Sequence, residues 1–425
     1  MSEGSAAGRA RPLLLQRDFS ALWWGQLISI LGDRLNYLAL GGLLLEHTGR
    51  FADTRQSSIL LGVLGNVMLA PVLLFAPFAG PWVDRWNHRR TMLVSDVLRG
   101  LLVLAIPVLY QFTHHIGTTF TVVFLLFTCN VFFLPAKSAI TPEIVPPAQL
   151  LAANTLLSIA GIVATAVGAL FGGWLVDHWG WRTALWVDAV SYLASVVSIA
   201  LIRYRRTHAH DVPAVSLGGY FREIGEGLAV VRGSRAVRLA LVTLGAVWVG
   251  GGFLHVAGNQ HIQRAASIPG MERIGVLMAV VGIGAGLGTA WVNGPGRRHP
   301  RSVLLGVGLV LTGAWLVAFA VSTRFAVFAI VAFLVGLCIA PAFVLSETLL
   351  QEGTDARTRG RVFSLRDFAM RLGFQLAILL AAFATPLLGT SRTMIVAAAI
   401  MAAAGVTAIA WRNDQPASAS SSGSR

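Results

Sequence analysis

The chain has 425 residues, of which 55% are hydrophobic and only 12% are charged, and its mean hydropathy is +0.70. Soluble globular proteins carry roughly 25% charged residues, so this composition excludes a soluble globule and indicates a surface that faces lipid. The formal net charge of +14 does not indicate a nucleic-acid partner, because the basic residues form short clusters between long apolar stretches, as membrane topology signals do.

Residues 1–18 precede the first apolar stretch and lack a cleavable signal peptide, so we expect the first spanning helix to direct membrane insertion. A spanning helix needs about 20 mostly apolar residues to cross roughly 30 Å of hydrocarbon. Twelve stretches of the chain meet this requirement. The predicted spans are residues 19–45, 57–83, 91–111, 117–140, 151–176, 182–203, 237–260, 273–293, 302–322, 325–348, 362–388 and 392–411.

The longest interruption, residues 204–236, is rich in arginine and separates six spans from six. We therefore predict an N-terminal six-helix bundle at 19–203, a cytoplasmic central loop at 204–236 and a C-terminal six-helix bundle at 237–411. The tail at 412–425 has low complexity, which predicts disorder. Lysine and arginine concentrate in the termini and in the loops after even-numbered spans, which predicts a plasma-membrane protein with both termini in the cytoplasm.

The two halves of the sequence resemble each other. The segment 82–84 (WVD) aligns with 291–293 (WVN), and Cys129 aligns with Cys338 at the same separation. Matches at a constant separation indicate duplicated halves related in parallel about the membrane normal. Both cysteines lie in apolar stretches, which excludes a disulfide scaffold. The sequence has no cluster with metal-ligand spacing and no nucleophile–base set, so we expect no metal, no cofactor and no enzyme activity.

Asp33 lies in the middle of span 1, where a charged group costs about 2.5–3.5 kcal/mol on insertion scales. Asn36 and Tyr37 follow at i+3 and i+4, on the same face of the helix. A carboxyl group in this position can bind and release a proton, which a proton-coupled exporter requires. The alternative is a static ion pair with the adjacent Arg34 or with another intramembrane base.

Span 2 ends in the segment 80–90, GPWVDRWNHRR. Its carboxylate can accept hydrogen bonds from the N-terminal amides of another helix, and its arginines can pair with acids such as Glu143 or Asp355. Such contacts would latch the cytoplasmic ends of helices together and form a gate. The alternative is that the arginines only anchor the topology. The residues of this gating motif are Gly80, Asp84, Arg85, Arg89 and Arg90.

Further charged residues lie within the apolar stretches. Glu347 closes span 10 and is the second candidate for proton coupling, with a structural or gating role as the alternative. Asp96 and Arg99 lie one turn apart in span 3, and Asp367 lies four residues before Arg371 in span 11. We expect both pairs to be self-neutralising and structural.

Polar and aromatic residues in spans 1, 4, 7 and 10 are candidates for the wall of a substrate cavity. They are Asn36, Tyr37, Asn130, Phe133, Trp248, Phe253, His255, Asn259 and Phe343. Many aromatics and few fixed charges favour an amphipathic or hydrophobic solute. Small residues in span 5 predict close helix packing. They are Gly161, Gly168, Gly172 and Gly173.

The six-plus-six arrangement, the cytoplasmic termini and the basic central loop resemble the major facilitator superfamily, and the segment 80–90 resembles its signature loop. Three stretches resemble the enterobactin-exporter and macrolide-efflux branch of that family. They are WWGQLISILGDRLNYLAL in span 1, LPAKSAITPEIVPPAQLLAAN after span 4 and RGRVFSLRD at the start of span 11.

The resemblance implies an all-α membrane protein with twelve transmembrane helices in two pseudo-symmetric six-helix bundles, which alternate access to a midplane cavity. It also implies that Asp84 bonds to the start of span 11, near residues 360–362. The glycines of span 5 resemble the family's antiporter motif, although Ala169 replaces a proline of that motif. The arginine that many drug–proton antiporters carry in helix 4 is missing.

We therefore predict a monomeric secondary transporter that exports a drug-like, macrolide-like or siderophore-like molecule and couples this export to proton entry. The alternative with the same fold is a lipid or lysophospholipid flippase. A membrane-embedded enzyme, a channel or a receptor fits less well, because duplicated halves with a latch motif serve alternation better than a fixed pore or a catalytic centre.

Overall fold

The structure is a computed structural model that describes residues 12–49, 53–203, 217–265 and 270–411. The predicted disordered tail lies outside these ranges. Apolar runs form α-helices because lipid offers no partners for backbone polar groups, which a helix satisfies internally. The described ranges contain no β-strand. Their helices are α1 (Arg17–His47), α2 (Thr54–Arg85), α3 (His88–Thr113), α4 (Ile116–Ile144), α5 (Leu150–Ala200), α6 (Leu217–Gly233), α7 (Arg235–Phe253), α8 (Asn259–Ala265), α9 (Glu272–Asn293), α10 (Arg301–Val321), α11 (Phe325–Glu352), α12 (Ala356–Leu388) and α13 (Thr390–Ala410).

The helix α5 is too long for a single crossing. Its 51 residues would extend about 77 Å at 1.5 Å per residue, well beyond the hydrocarbon thickness. Gly180 breaks the helix, with φ 85° and ψ 157°, a conformation that glycine adopts without a steric penalty. Among the described residues, eleven helical segments are long and apolar enough to span a membrane, and the α5 segment supplies two crossings. The predicted all-helical fold with twelve spans is confirmed.

The break at Gly180 recurs at Gly389, between α12 and α13, where φ is 85° and ψ is 158°. Gly389 follows Gly180 at the same separation at which Trp291 follows Trp82. The two glycines therefore occupy equivalent positions in the two halves of the sequence. The backbone conformation supports the duplication that the sequence alignment indicates.

The chain divides into two compact units. The first contains Met1–Gly42 and Ala70–Val215, and the second contains Leu43–Leu69 and Ser216–Arg425. The end of α1 and the first half of α2 thus group with the second unit, although they belong to the N-terminal half of the sequence.

In the first unit, α1 packs closely against α5. A Cβ atom added to Gly168 would lie only 2.9 Å from the carbonyl oxygen of Leu31, so this approach requires a glycine. Gly172 and Gly173 are buried on the same helix. At Gly161 the nearest neighbour of an added Cβ would lie at 4.0 Å, which leaves room for a side chain. The small residues of span 5 therefore differ in how tightly they are packed.

In the second unit, part of the predicted cytoplasmic loop is the helix α6, which spans Leu217–Gly233. Glu226 Oε2 of this helix lies 2.9 Å from Arg361 Nε of α12. The apolar side chains of α6 pack with buried residues of α7, α11 and α12. These α6 side chains include Ile224, Val230 and Val231. The hydropathy pattern does not indicate this helix because it is too short and polar to span a membrane. The predictions for residues 204–216 lie outside the described residues.

Predicted span 7 is not a continuous α-helix. The helix α7 ends at Phe253, a π-helical turn covers Leu254–Gly258, and α8 begins at Asn259. A π-helical turn widens the helix locally, and such turns often occur at functional sites. His255 lies in this turn.

Candidate functional site

Asp33 of α1 is held by two side chains of the first unit. Arg99 of α3 donates from Nη2 to Asp33 Oδ1 at 2.6 Å, and the Tyr192 hydroxyl of α5 donates to the same oxygen at 2.6 Å. The Asp33 side chain is 37% exposed, whereas that of Arg99 is 3% exposed. The sequence left open a pair with the adjacent Arg34 or with another intramembrane base, and the structure shows the latter, Arg99.

Arg99 also holds a second carboxylate. Its Nη1 donates to Asp96 Oδ1 at 3.0 Å, and Ser195 Oγ donates to Asp96 Oδ2 at 2.6 Å. Asp96 is fully buried. The expected pair of Asp96 and Arg99 is therefore present, but it is not isolated, because the same guanidinium group links it to Asp33. One buried cation serves one buried and one half-exposed carboxylate.

Aromatic rings cover the guanidinium group of Arg99. Its Cζ atom lies 4.4 Å from the centre of the Tyr192 ring and 5.3 Å from the centre of the Phe133 ring. A ring face attracts a cation electrostatically, so these contacts help to offset the loss of hydration. The predicted cavity residue Phe133 is itself buried and packs on the ion-pair network.

Asn36 reaches a carboxylate that the sequence analysis did not name. Its Nδ2 atom donates to Asp188 Oδ2 at 2.9 Å, and Ser191 Oγ donates to Asp188 Oδ1 at 3.3 Å. Asp188, Ser191, Tyr192 and Ser195 lie at i, i+3, i+4 and i+7, so they share one face of the second segment of α5. This polar stripe in an apolar span was the signal that could have identified them.

The second unit contains a cavity of about 170 Å³ with mixed aromatic and charged walls. It brings together the predicted residues Trp248, Phe343 and Glu347. The lining residues that the sequence analysis did not assign to a cavity are Leu244, Arg366, Asp367, Met370 and Arg371.

Arg366 organises the charges of this cavity. It forms an ion pair with Glu347 through Nη1, and its Nη2 lies 2.9 Å from Asp367 Oδ1. Asp367 therefore pairs with its neighbour Arg366, and the expected pair of Asp367 with Arg371 is not formed. The Arg366 guanidinium also lies 4.4 Å from the centre of the Phe363 ring. Glu347 is 44% exposed and Arg366 is 18% exposed, so a half-exposed carboxylate again meets a largely buried arginine.

The other predicted cavity residues lie elsewhere. Phe253 is buried in α7, and His255 packs against the Phe374 ring at a centroid distance of 6.4 Å. The Asn259 side chain donates to the His255 carbonyl oxygen of its own helix at 2.8 Å. Tyr37 and Asn130 are half-buried in α1 and α4.

The gating motif begins at the end of α2, where Asp84 and Arg85 are exposed and Gly80 has open space around it. Arg89 donates to two backbone carbonyls at the end of α5, those of residues 199 and 200, at 3.1 and 2.5 Å. A cation is favourable at a helix C-terminus. Arg89 therefore binds the C-terminal end of α5. We expected it to pair with an acidic side chain instead.

The rest of the motif stabilises the start of α3. The backbone N–H of Arg90 donates to Asn87 Oδ1 at 2.9 Å, which caps the helix. The acid Glu143 lies 3.1 Å from the His88 ring, so in this structure it pairs with a histidine of the motif. The bond of Asp84 to the start of span 11 stays a prediction.

Comparisons with known proteins give the family and the fold. The model of the Major Facilitator Superfamily matches residues 22–293. Macrolide efflux protein A of Streptococcus pyogenes is 24% identical over 401 residues, 90% of this chain and 94% of that protein. The lysophospholipid transporter LplT of Serratia proteamaculans (strain 568) is 26% identical over 373 residues, 86% of this chain and 87% of that protein.

A solved structure shows the same fold. A bacterial homologue of the iron transporter ferroportin, in an inward-facing state, matches with a TM-score of 0.72 at 16% identity, over 93% of this chain and 99% of that one. The predicted resemblance to the efflux branch is confirmed, and the protein is a multi-pass membrane transporter and not an enzyme. The chain belongs to the Major Facilitator Superfamily.

Proposed function

We propose that this protein exports an amphipathic or hydrophobic small molecule, with the chemical character of a drug, macrolide or siderophore, across the plasma membrane. It works as a monomer by alternating access, and proton entry drives it. The observation that carries the proposal is the cavity of the second unit, in which Trp248 and Phe343 lie beside the ion pair of Glu347 and Arg366.

The walls of this cavity indicate the class of solute. Binding sites for small molecules are mostly apolar, with a few placed polar groups that orient the ligand. Here the aromatic and aliphatic side chains offer apolar contact, while the two negative charges of Glu347 and Asp367 are balanced by the two positive charges of Arg366 and Arg371. Compensated charges suit a solute with weak or single charges better than a phosphorylated one. The name of the macrolide efflux relative supports the same class.

The geometry of Asp33 supports proton coupling. The Asp33 carboxylate is half-exposed, so it can exchange protons with water. When Asp33 binds a proton, Arg99 loses one of its two anionic partners and remains bonded to Asp96. Glu347 and Arg366 repeat this arrangement in the second unit. Each site can therefore convert proton binding into a change in its ion pair.

The test uses the purified protein in proteoliposomes, with candidate solutes screened with and without an imposed pH gradient. We expect Asp33→Asn to abolish gradient-driven accumulation while exchange of labelled for unlabelled solute continues, because exchange requires no proton release. Asp33→Glu is the matched control and should retain part of the accumulation. Wild-type accumulation by a well-folded Asp33→Asn protein would contradict coupling at this residue.

We also propose that both termini face the cytoplasm. The asymmetry of basic residues supports this orientation. Reporter fusions after Arg206 and Arg301 should report the cytoplasmic side, and a fusion after Arg264 should report the external side. Fusions after Arg206 and Arg264 that report the same side would contradict the orientation and the twelve-span order.

A lipid or lysophospholipid flippase is the second candidate function, and the similarity to the lysophospholipid transporter favours it. The same proteoliposomes separate the two functions. A flippase would move a fluorescent lysophospholipid from one leaflet to the other and would show no accumulation of soluble drugs in the screen.

A further inference from the structure

Asp188 is a carboxyl group that forms no ion pair with any of the described residues. It lies in the second segment of α5 and is 0% exposed. Its two oxygens contact the Asn36 amide at 2.9 Å and the Ser191 hydroxyl at 3.3 Å, and both of these groups are neutral. Within the described residues, no lysine, arginine or histidine lies within ion-pair distance of Asp188.

The cations around this site are engaged elsewhere or do not reach it. Arg99 of α3 donates its two terminal nitrogens to Asp33 and Asp96. Arg34 of α1 faces the first segment of α5, where its Cβ lies against Gly168. Lys137 of α4, the only lysine of the chain, forms no ion pair with any carboxylate in the described ranges. Among the described residues, the titratable neighbours without a positive charge include Asp33 of α1 and Tyr192 of α5, which donates its hydroxyl to Asp33.

These contacts set the charge balance of the cluster around Arg99, which contains Asp33, Asp96 and Asp188. Two carboxylates already share one guanidinium group, so an ionised Asp188 would add a second uncompensated negative charge. A buried charge without a partner is very costly in a medium of low dielectric constant, and such a group takes up a proton instead. The charge of Asp33, one turn before Asn36 on α1, adds to that cost.

The backbone of α1 seals the site from water. A Cβ atom at Gly32 would overlap both Asp188 Oδ1 and Ser191 Oγ, so the helix lies directly on the carboxyl group. No side chain fits between them, and only a glycine permits this approach. Solvent therefore cannot replace the missing counter-ion in this conformation.

We propose that Asp188 binds a proton in this conformation and that Asn36, Asp188 and Ser191 form a proton-binding site separate from the ion pairs of Arg99. The hydrogen bonds fit a neutral acid. In the protonated state the bond to Ser191 reverses: Oδ1–H donates to Ser191 Oγ, because a hydroxyl group can accept as well as donate, while Oδ2 still accepts from Asn36 Nδ2. Neutralisation of Asp33 by a proton removes one charge that opposes ionisation of Asp188, so the two sites are coupled.

The consequence for transport rests on the proposed proton-coupled function. A proton that binds to the half-exposed Asp33 favours release of the proton held by Asp188. The negative charge would then move from the accessible Asp33 to the buried Asp188. The proton-binding site itself can be tested without any transport.

The test is infrared spectroscopy of the full-length protein in lipid nanodiscs at neutral pH, where a protonated carboxyl group has its own C=O stretching band. We expect the wild-type protein to show this band, Asp188→Asn to lose it, and Glu352→Gln, a control at an exposed carboxylate of α11, to retain it. Asp33→Asn should weaken the band, because it removes a charge that opposes ionisation of Asp188. In Ser191→Ala the band should shift, because the hydrogen bond of the acid is lost; this variant decides the case if Asp188→Asn does not fold.

Absence of the band from the wild-type protein, or its persistence unchanged in Asp188→Asn and Ser191→Ala, would overturn the proposal. These results are distinct from a failure of the proposed function. If the protein shows the Asp188 band but accumulates no solute with a pH gradient, the proton-binding site is supported and the proposed proton coupling is contradicted. If transport is coupled to protons but the band is absent, the proposed function is supported and the proton-binding site at Asp188 is contradicted.

Discussion

The Arg99 guanidinium group donates to Asp33 across 66 positions of sequence, and its side chain is almost completely buried while that of Asp33 is 37% exposed. The two partners therefore differ in their access to water. Protons can reach the carboxylate, but water cannot solvate the arginine in its place. The effect of a change at one residue therefore depends on whether its partner is left buried or exposed.

Arg99→Gln should destabilise the protein strongly. It leaves the buried Asp96 without its cation, and breaking a buried ion pair by removing one partner costs about 3–5 kcal/mol. Thermal unfolding of the purified protein in detergent should show a marked decrease in the midpoint. The double variant Arg99→Gln with Asp96→Asn should recover much of this loss, because the unpartnered Asp33 is half-exposed. Equal stability of the single and double variants would contradict this account of the network.

Gly168→Ala should destabilise the protein and Gly161→Ala should not, although both residues lie on the same helix. At Gly168 an added Cβ lies 2.9 Å from the Leu31 carbonyl oxygen, and overpacking of this kind costs about 1–3 kcal/mol. At Gly161 the nearest atom is 4.0 Å away, so alanine should be neutral or stabilise by up to about 1 kcal/mol through its helix propensity. The measurement is the unfolding midpoint of each variant, and similar midpoints would argue against close packing of α1 on α5.

Phe343→Ala should weaken binding of the exported solute. An aromatic contact contributes roughly 0.5–1.5 kcal/mol beyond the area it buries, which corresponds to a loss of affinity of about two- to twelvefold. Trp248→Ala should act in the same direction, because both rings line one cavity. Phe383→Ala on α12, a 59% exposed side chain outside this cavity, is the control and should bind normally. Equilibrium binding in detergent checks this, and a normal affinity of both cavity variants would place the solute elsewhere.

Asp84→Asn should reduce turnover without unfolding the protein. The charge of Asp84 is expected to favour a helix N-terminus, an interaction of about 0.3–1 kcal/mol, or up to ~2 kcal/mol when partly buried. Since two conformations of a transporter differ by only a few kcal/mol, loss of this charge should shift the population away from the outward-open state. Labelling of single cysteines from the outside measures the shift. Unchanged labelling would count against the latch.

Hydropathy was sufficient to predict the spans because a membrane imposes the length and the apolar character of each crossing. It could not predict α6, whose apolar side chains follow a helical period in a charged segment. The sequence also placed Glu347 at the end of its span, but its partner Arg366 lies on another helix. Partner choice depends on the packing of helices, and a local pair such as Asp367 with Arg371 gives way when a better-placed base lies nearby.

The helical period places Asp33 and Asn36 on one face of span 1, but it does not show that the two side chains have different partners. Asn36 bonds to Asp188, whereas Asp33 bonds to Arg99. Asp188 lies in the second segment of α5, with no basic residue one turn away to suggest an ion pair. A polar stripe in an apolar helix is visible in sequence, but which helix it faces is set only when the bundle forms.

The matching glycine turns at Gly180 and Gly389 bear on the ancestry of the chain. Both join two crossings through a single residue with φ near 85°, in halves whose side chains have otherwise diverged widely. A shared backbone solution at equivalent positions is most simply inherited from one six-helix ancestor, in which this hairpin already existed before the gene was duplicated. Any other residue would be strained at either position, so a substitution at Gly180 and one at Gly389 would distort the hairpin of each half in the same way.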